Sequence, residues 1–159
     1  MNTSQSVLIN SEISDFYTLE EIDTVSSHIE QKISCISLHK SVNQVIDELI
    51  AGSSERSVAI INDISPELFA GTDKSIFSSI INCLLDAMLV NSDTQSIQIT
   101  AKLVGNIVLL HLRSSNPDYN HHIDGGISKM ENLAKSLGGC ITVSNSTHGL
   151  TLAFTFINH

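Results

Sequence analysis

The chain has 159 residues, 42% of them apolar, which is enough for one globular domain with a sizeable core and a short appendage but too few for a second full domain. Eight basic against 17 acidic residues give a net charge of -9, which excludes generic binding of nucleic acid or an anionic membrane through a basic face and leaves small ligands or proteins as partners. No basic segment followed by an apolar run opens the chain and no stretch reaches bilayer-spanning length, so a cytoplasmic protein is expected. Cys35, Cys83 and Cys140 are odd in number and unclustered, and they read as buried small hydrophobes in a reducing compartment.

Residues 1–16 are polar apart from Val7-Leu8-Ile9 and read as a tail or a short edge strand. Thr18-Leu19-Glu20-Glu21 is a capping box, in which the threonine oxygen and the Glu21 carboxylate satisfy amides at a helix start. Leu19, Ile22, Val25, Ile29 and Ile33 follow at spacings of three and four. They predict a helix of about four turns whose narrow apolar stripe packs on the domain or on a second copy of itself in a homodimer. Val42, Val45, Ile46, Leu49 and Ile50 predict a helix over residues 40–51, ended by Gly52-Ser53-Ser54. Residues 57–62 read as a strand, and Ser65-Pro66 breaks the chain.

A further helix is expected from about residue 73 to residue 91. Ile97, Ile99 and Ala101 alternate with polar residues, Gly105-Asn106 makes a hairpin turn, and residues 107–112 return as a strand. Residues 114–126 lack periodicity and are rich in turn formers, which predicts a loop. Met130, Leu133, Ala134 and Leu137 share one face of a helix over residues 128–137, stopped by Gly138-Gly139. Residues 140–143 and 150–157 close the chain as a hairpin around Asn145-Ser146-Thr147-His148-Gly149. After the first helix the order is helix, strand, helix, two strands, loop, helix, two strands. That order predicts an α+β two-layer sandwich, a mixed β-sheet with helices on one face.

The helix expected at residues 73–91 carries the most informative pattern. Ile76, Phe77, Ile80, Ile81, Leu84, Leu85 and Met88 recur at helical spacing, so Ser75, Ser78, Ser79, Asn82 and Asp86 fall on the opposite stripe. A buried helix has no need of an amide and a carboxylate one turn apart, whereas the wall of a polar cleft does.

The element order and three segments resemble the Bergerat-fold ATPase domain shared by histidine kinases, gyrase-type topoisomerases, chaperones and mismatch-repair proteins, over about residues 36–157. Ile81-Asn82-Cys83-Leu84-Leu85-Asp86-Ala87 is similar to the N-box helix of that family. The run from Gly125-Gly126-Ile127 to Leu137-Gly138-Gly139 resembles its second glycine box and the following helix. His148-Gly149-Leu150 resembles the final glycine and strand. The resemblance implies a two-part chain, with residues 1–35 as a tail and helix that could dimerise and residues 36–159 as the ATPase-like domain. It also implies Asn82, Asp86, Ser114, Gly125, Gly126 and Gly149 as the nucleotide-binding positions, with ATP and magnesium as the cofactors of a working site.

The chain departs from that pattern at two places. Kinases carry asparagine where this chain has Asp86; the carboxylate is a competent magnesium ligand but adds negative charge beside a triphosphate. The first glycine box, whose aspartate receives the adenine amino group in the family, is replaced by Arg113-Ser114-Ser115-Asn116-Pro117, with Ser114 at the aspartate position and neither glycine present. The loop that follows, roughly a dozen residues, leaves little for a lid over phosphates. Gly125-Gly126 remains as an amide cradle at the start of the last helix.

Three functions are consistent with this mixture. One is a degenerate kinase-like module, not an enzyme and without nucleotide, that binds a kinase or response regulator in two-component signalling. Another is an active ATP-dependent histidine kinase with Asp86 as magnesium ligand. The last is a phosphotransfer protein presenting His28, which lies on the predicted first helix near Glu30. The first is favoured, and no catalytic residue is singled out. His39 and the adjacent pair His121-His122 read as surface residues, because neighbouring histidines rarely reach one metal ion. His111, mid-strand, reads as half-buried or solvent-side.

Overall fold

Ile33-Ser34-Cys35-Ile36-Ser37 forms strand β1 (Ile33–Ser37), with Ile36 turned inward. In the computed structural model, which describes residues 30–52, 58–90, 96–115 and 122–159 and the side chains of the last stretch from residue 126, helix α1 follows directly (Leu38–Gly52). Edge strand β2 (Ala59–Asn62), strand β3 (Phe69–Asp73) and helix α2 (Lys74–Val90) come next. Strands β4 (Ser96–Val104) and β5 (Ile107–Ser114) form a hairpin, helix α3 (His122–Ser136) crosses, and strands β6 (Cys140–Ser146) and β7 (Gly149–Ile157) complete the order. Residues Lys32–His159 form one compact unit.

The main sheet has the order β2-β4-β5-β7-β6, with β2 parallel to β4 and the other neighbours antiparallel. It is therefore the mixed sheet of an α+β sandwich. One face of it is apolar: Ile97, Ile99, Val108, Leu110, Leu112, Leu152, Phe154 and Phe156 are fully buried. The inward residues of α2, among them Phe77, Ile80, Ile81, Leu84 and Leu85, pack there together with Val42 and Val45 of α1 and Ala134 and Leu137 of α3 in a single core. At its centre the Phe77 ring lies 5.7 Å from Phe156 and 6.4 Å from Phe154, with the two sheet rings 5.1 Å apart.

Local chemistry sets the helix ends. Asp73 caps α2: its Oδ1 accepts from the amides of Ser75 (2.9 Å) and Ile76 (3.1 Å), while Oδ2 accepts from the amide of Lys32 (2.8 Å) and ties down the start of β1. At the end of α3 the Gly139 amide donates to Ala134 O and the Gly138 amide to Lys135 O, a Schellman closure.

Several expectations need correction. Ile33 was expected on the first helix but opens a strand, and the remaining residues of that stripe, with His28, lie outside the described residues. β1 pairs antiparallel with β3 in a separate two-stranded sheet, Ile33 opposite Asp73 and Ser37 opposite Phe69. Neither strand was expected, because Phe69-Ala70-Gly71-Thr72-Asp73 has no hydrophobic alternation and its partner lies far away in sequence. The last helix begins at His122 rather than residue 128, so Gly125 and Gly126 lie inside it. Cys35 and Cys140 are exposed and Cys83 is half-buried, since β1 and β6 present their cysteines on the outward side of the pleat.

His39 is not a free surface residue. Its Nδ1 lies 2.7 Å from Ile64 O and must carry the proton, because a carbonyl only accepts; its Nε2 then accepts from Asn43 Nδ2 at 3.0 Å. Asn62 Nδ2 donates to His39 O and Asn43 Oδ1, tying α1 to the edge strand β2.

Phe77→Ala should cost about 3–5 kcal/mol in chemical denaturation, as a large buried side chain that leaves a cavity beside the stacked rings of Phe154 and Phe156. Asp73→Ala should cost about 1 kcal/mol, the usual loss for a removed cap.

Candidate functional site

The packing of α2 on the sheet decides where its polar stripe points. With Phe77, Ile80, Ile81, Leu84 and Leu85 buried, Ser75, Ser79, Asn82 and Asp86 are exposed and Ser78 is half-exposed. Asn82 and Asp86 stand one turn apart and offer an amide oxygen and a carboxylate, two hard oxygen donors of the kind magnesium takes. Water or phosphate oxygens would have to complete such a set. Among the described residues no three His, Cys, Asp or Glu side chains converge as a metal cluster.

Cys83 joins this stripe to α3. Its Sγ lies 3.7 Å from Gly126 O, so the start of α3 rests against the Asn82–Asp86 turn of α2. Burial pushes the Cys83 thiol above its ordinary pKa, the Asp86 carboxylate pushes it further, and Lys129 pulls it back. Asp86, Cys83, Gly126 and Lys129 therefore share one neighbourhood. Lys129 was not identified in the sequence; it lies one turn beyond Gly126, and only the packing of α3 on α2 brings it there.

Ser114 and Gly149 form a second group at the end of the sheet. Ser114 ends β5 on the apolar face, 6% exposed, opposite Leu150 and one residue along from Gly149. Gly149 has φ 126°, and a Cβ there would collide with the Ser114 carbonyl, so the close approach of the two strands requires glycine. Thus the structure pairs Ser114 with Gly149, and Asn82 and Asp86 with Gly126. The loop residues 116–121, including Pro117 and His121, lie outside the described residues.

A concavity of about 350 Å³ lies at the other end of α2, lined by Lys32, Ser34, Asp73, Lys74, Ser75 and Ser78. It does not reach Asn82 or Asp86, which stand one and two turns further along the helix. Among the described residues no helix is long and apolar enough to cross a membrane.

The fold is the one seen in solved histidine kinase catalytic domains. The structure is similar to the Acinetobacter baumannii histidine kinase AdeS, with TM-score 0.74 at 14% identity over 98% of this chain and 83% of that one. It is also similar to the nucleotide-free catalytic domain of histidine kinase ThkA, with TM-score 0.68 at 14% identity over 80% of this chain and 96% of that one. The ATP binding domain of PrrB from Mycobacterium tuberculosis matches with TM-score 0.65 at 11% identity, over 80% of this chain and 98% of that one. No family model and no curated protein matches the sequence. The chain therefore has the histidine kinase-like ATPase fold, reached with little sequence identity to those kinases.

Asp86→Asn should lower the Cys83 pKa and speed its alkylation by iodoacetamide at pH 8, followed by mass spectrometry, and Lys129→Gln should slow it. His111, on β5, is held below its ordinary value of 6.5 by burial, then by Arg113 and Lys102. The unfolded chain then binds the proton more readily than the folded one, so this contribution to stability is present above pH 6.5 and is lost as the pH falls below it. His111→Gln should flatten that part of a stability–pH curve measured by urea unfolding.

Proposed function

We propose that the chain is a degenerate histidine kinase-like domain that acts in the cytoplasm as a binding or adaptor module of two-component signalling, without productive ATP binding. The observation that carries this reading is Ser114. The position where the resemblance places an adenine-binding carboxylate holds a hydroxyl buried in the apolar face of the sheet, beside the Gly149 crossing. A carboxylate introduced there would bear a desolvation cost, and the serine is closed off from a nucleotide. The start of α3 at His122 supports the same reading, because Gly125 and Gly126 sit within the helix, where their amides are drawn toward helical hydrogen bonds rather than toward a phosphate.

A partner from the same pathway fits the fold. Histidine kinase ThkA has been solved in complex with the response regulator TrrA, and a structure of histidine kinase QseC comprises its cytoplasmic segment. For this chain the partner is a kinase or a response regulator, and the work of the domain is recognition.

A second reading rests on a separate observation: Asn82 and Asp86 remain exposed together, next to Lys129. In that reading the domain binds magnesium-ATP through Asp86 and phosphorylates a histidine on another protein.

Calorimetric titration with magnesium-ATP separates the two. The degenerate module should give no binding up to millimolar nucleotide; a micromolar Kd that is lost in Asp86→Ala would overturn it in favour of the kinase.

A further inference from the structure

We propose that the outer face of the five-stranded sheet, opposite the helices, is a docking surface for an acidic segment of a partner protein. The inference deepens the reading of the domain as a binding module by assigning a surface and the chemistry of what it binds.

The charge pattern carries it. The chain has 17 acidic residues, yet strands β4, β5, β6 and β7 and the turns of their two hairpins contain no aspartate or glutamate. The cations of these strands are Lys102 and Arg113, and both point outward, as does His111. The alternation that buries Val108, Leu110 and Leu112 puts Leu109, His111 and Arg113 on the outer face, about 7 Å apart along the strand. The register sets Gln98 beside Arg113, Thr100 beside His111 and Lys102 beside Leu109 on one side. On the other side stand Thr151, Ala153 and Thr155, opposite Arg113, His111 and Leu109 in turn. The result is a row on β4 and β5 with Lys102 and Arg113 as its cations and His111 between them, beside the small side chains of Thr151, Ala153 and Thr155. Burial, then Arg113 and Lys102, hold the His111 pKa down, so the imidazole stands between the two cations as a neutral polar group that can donate or accept a hydrogen bond. Nearby, Val104 and Ile107, opposite one another at the hairpin end, are 58% and 46% exposed and give the cationic row an apolar neighbour.

An acidic segment carrying an apolar residue at one end complements that arrangement in charge and in polarity. At physiological salt charges more than about 8 Å away are largely screened, so a short segment lying on the face feels this row and little of the remaining net charge. A nucleic acid strand gains affinity by neutralising many phosphates, and it would run off two cations onto the surroundings of a chain at -9.

The test uses the full chain, isotope-labelled, titrated with octaglutamate and followed by backbone amide and His111 ring NMR. The eight lysines and arginines of the chain offer alternative contacts, so the map of shifts is informative. Shifts concentrated at Thr100, His111, Arg113 and Thr151, a rise in the His111 titration midpoint on binding, and at least tenfold weaker binding in Lys102→Glu/Arg113→Glu are expected. The neutral pair Lys102→Gln/Arg113→Gln should weaken binding in the same direction, which guards against a folding defect in the reversed pair. Shifts centred elsewhere, or binding unchanged by either pair, would overturn the surface. Tighter binding of single-stranded DNA or of phosphatidylserine vesicles through the same residues would overturn the class of partner. Neither failure touches the nucleotide titration that decides whether the domain is a binding module.

Discussion

Everything at the candidate site depends on one contact, the seating of α2 on the sheet through Phe77 against the stacked pair Phe154 and Phe156. A helix can rotate about its own axis until one stripe is committed to a core, and three interlocked rings at 5–6 Å make that commitment. Once Phe77, Ile80, Ile81, Leu84 and Leu85 are inside, Asn82 and Asp86 have no choice but to face outward. The polar stripe is thus a by-product of aromatic packing on the other side of the helix.

The same seating explains why the electrostatics around Asp86 are mixed. Asp86, and Lys129 delivered by α3, act in opposite directions on the half-buried Cys83 thiol. At the end of the sheet Ser114 is turned inward, as part of the apolar face. The fold shared with AdeS and ThkA therefore carries Asn82 and Asp86 exposed on α2 and Ser114 buried at the end of the sheet.

Much of this was legible in the chain itself. Helical periodicity over residues 73–91 placed α2 to within a residue at each end, and the Gly105-Asn106 turn and the alternation around it placed β4 and β5, because both signals are local and repeated. The two strands of the small sheet were invisible for the opposite reason: Phe69-Ala70-Gly71-Thr72-Asp73 has no period of its own and becomes a strand only through a distant partner. The start of α3 was misread because turn-forming residues such as Asp124, Gly125 and Gly126 were weighed as loop, whereas the packing of Ile127 and Gly126 against α2 favours a helix. The role of His39 was hidden because its partners, Ile64 O and Asn43, come from different segments. The cysteines were misjudged because their apolar neighbours in sequence point to the other side of the strand.

The small sheet is held to the rest of the domain from its far side. The Gly71 amide donates to Asn158 Oδ1 and the His159 amide donates back to Gly71 O, while the Asn158 amide reaches Asn106 O at the β4–β5 turn. A side chain at Gly71 would strike the backbone of His159, so β3 and residues 158–159 close like a clasp with no spacer. The clasp spans a separation of 87 residues and can shut only after β7 has been laid down. When the end of β7 frays, β3 therefore loses both hydrogen bonds of the clasp and is left to its pairing with β1 and its burial in the core.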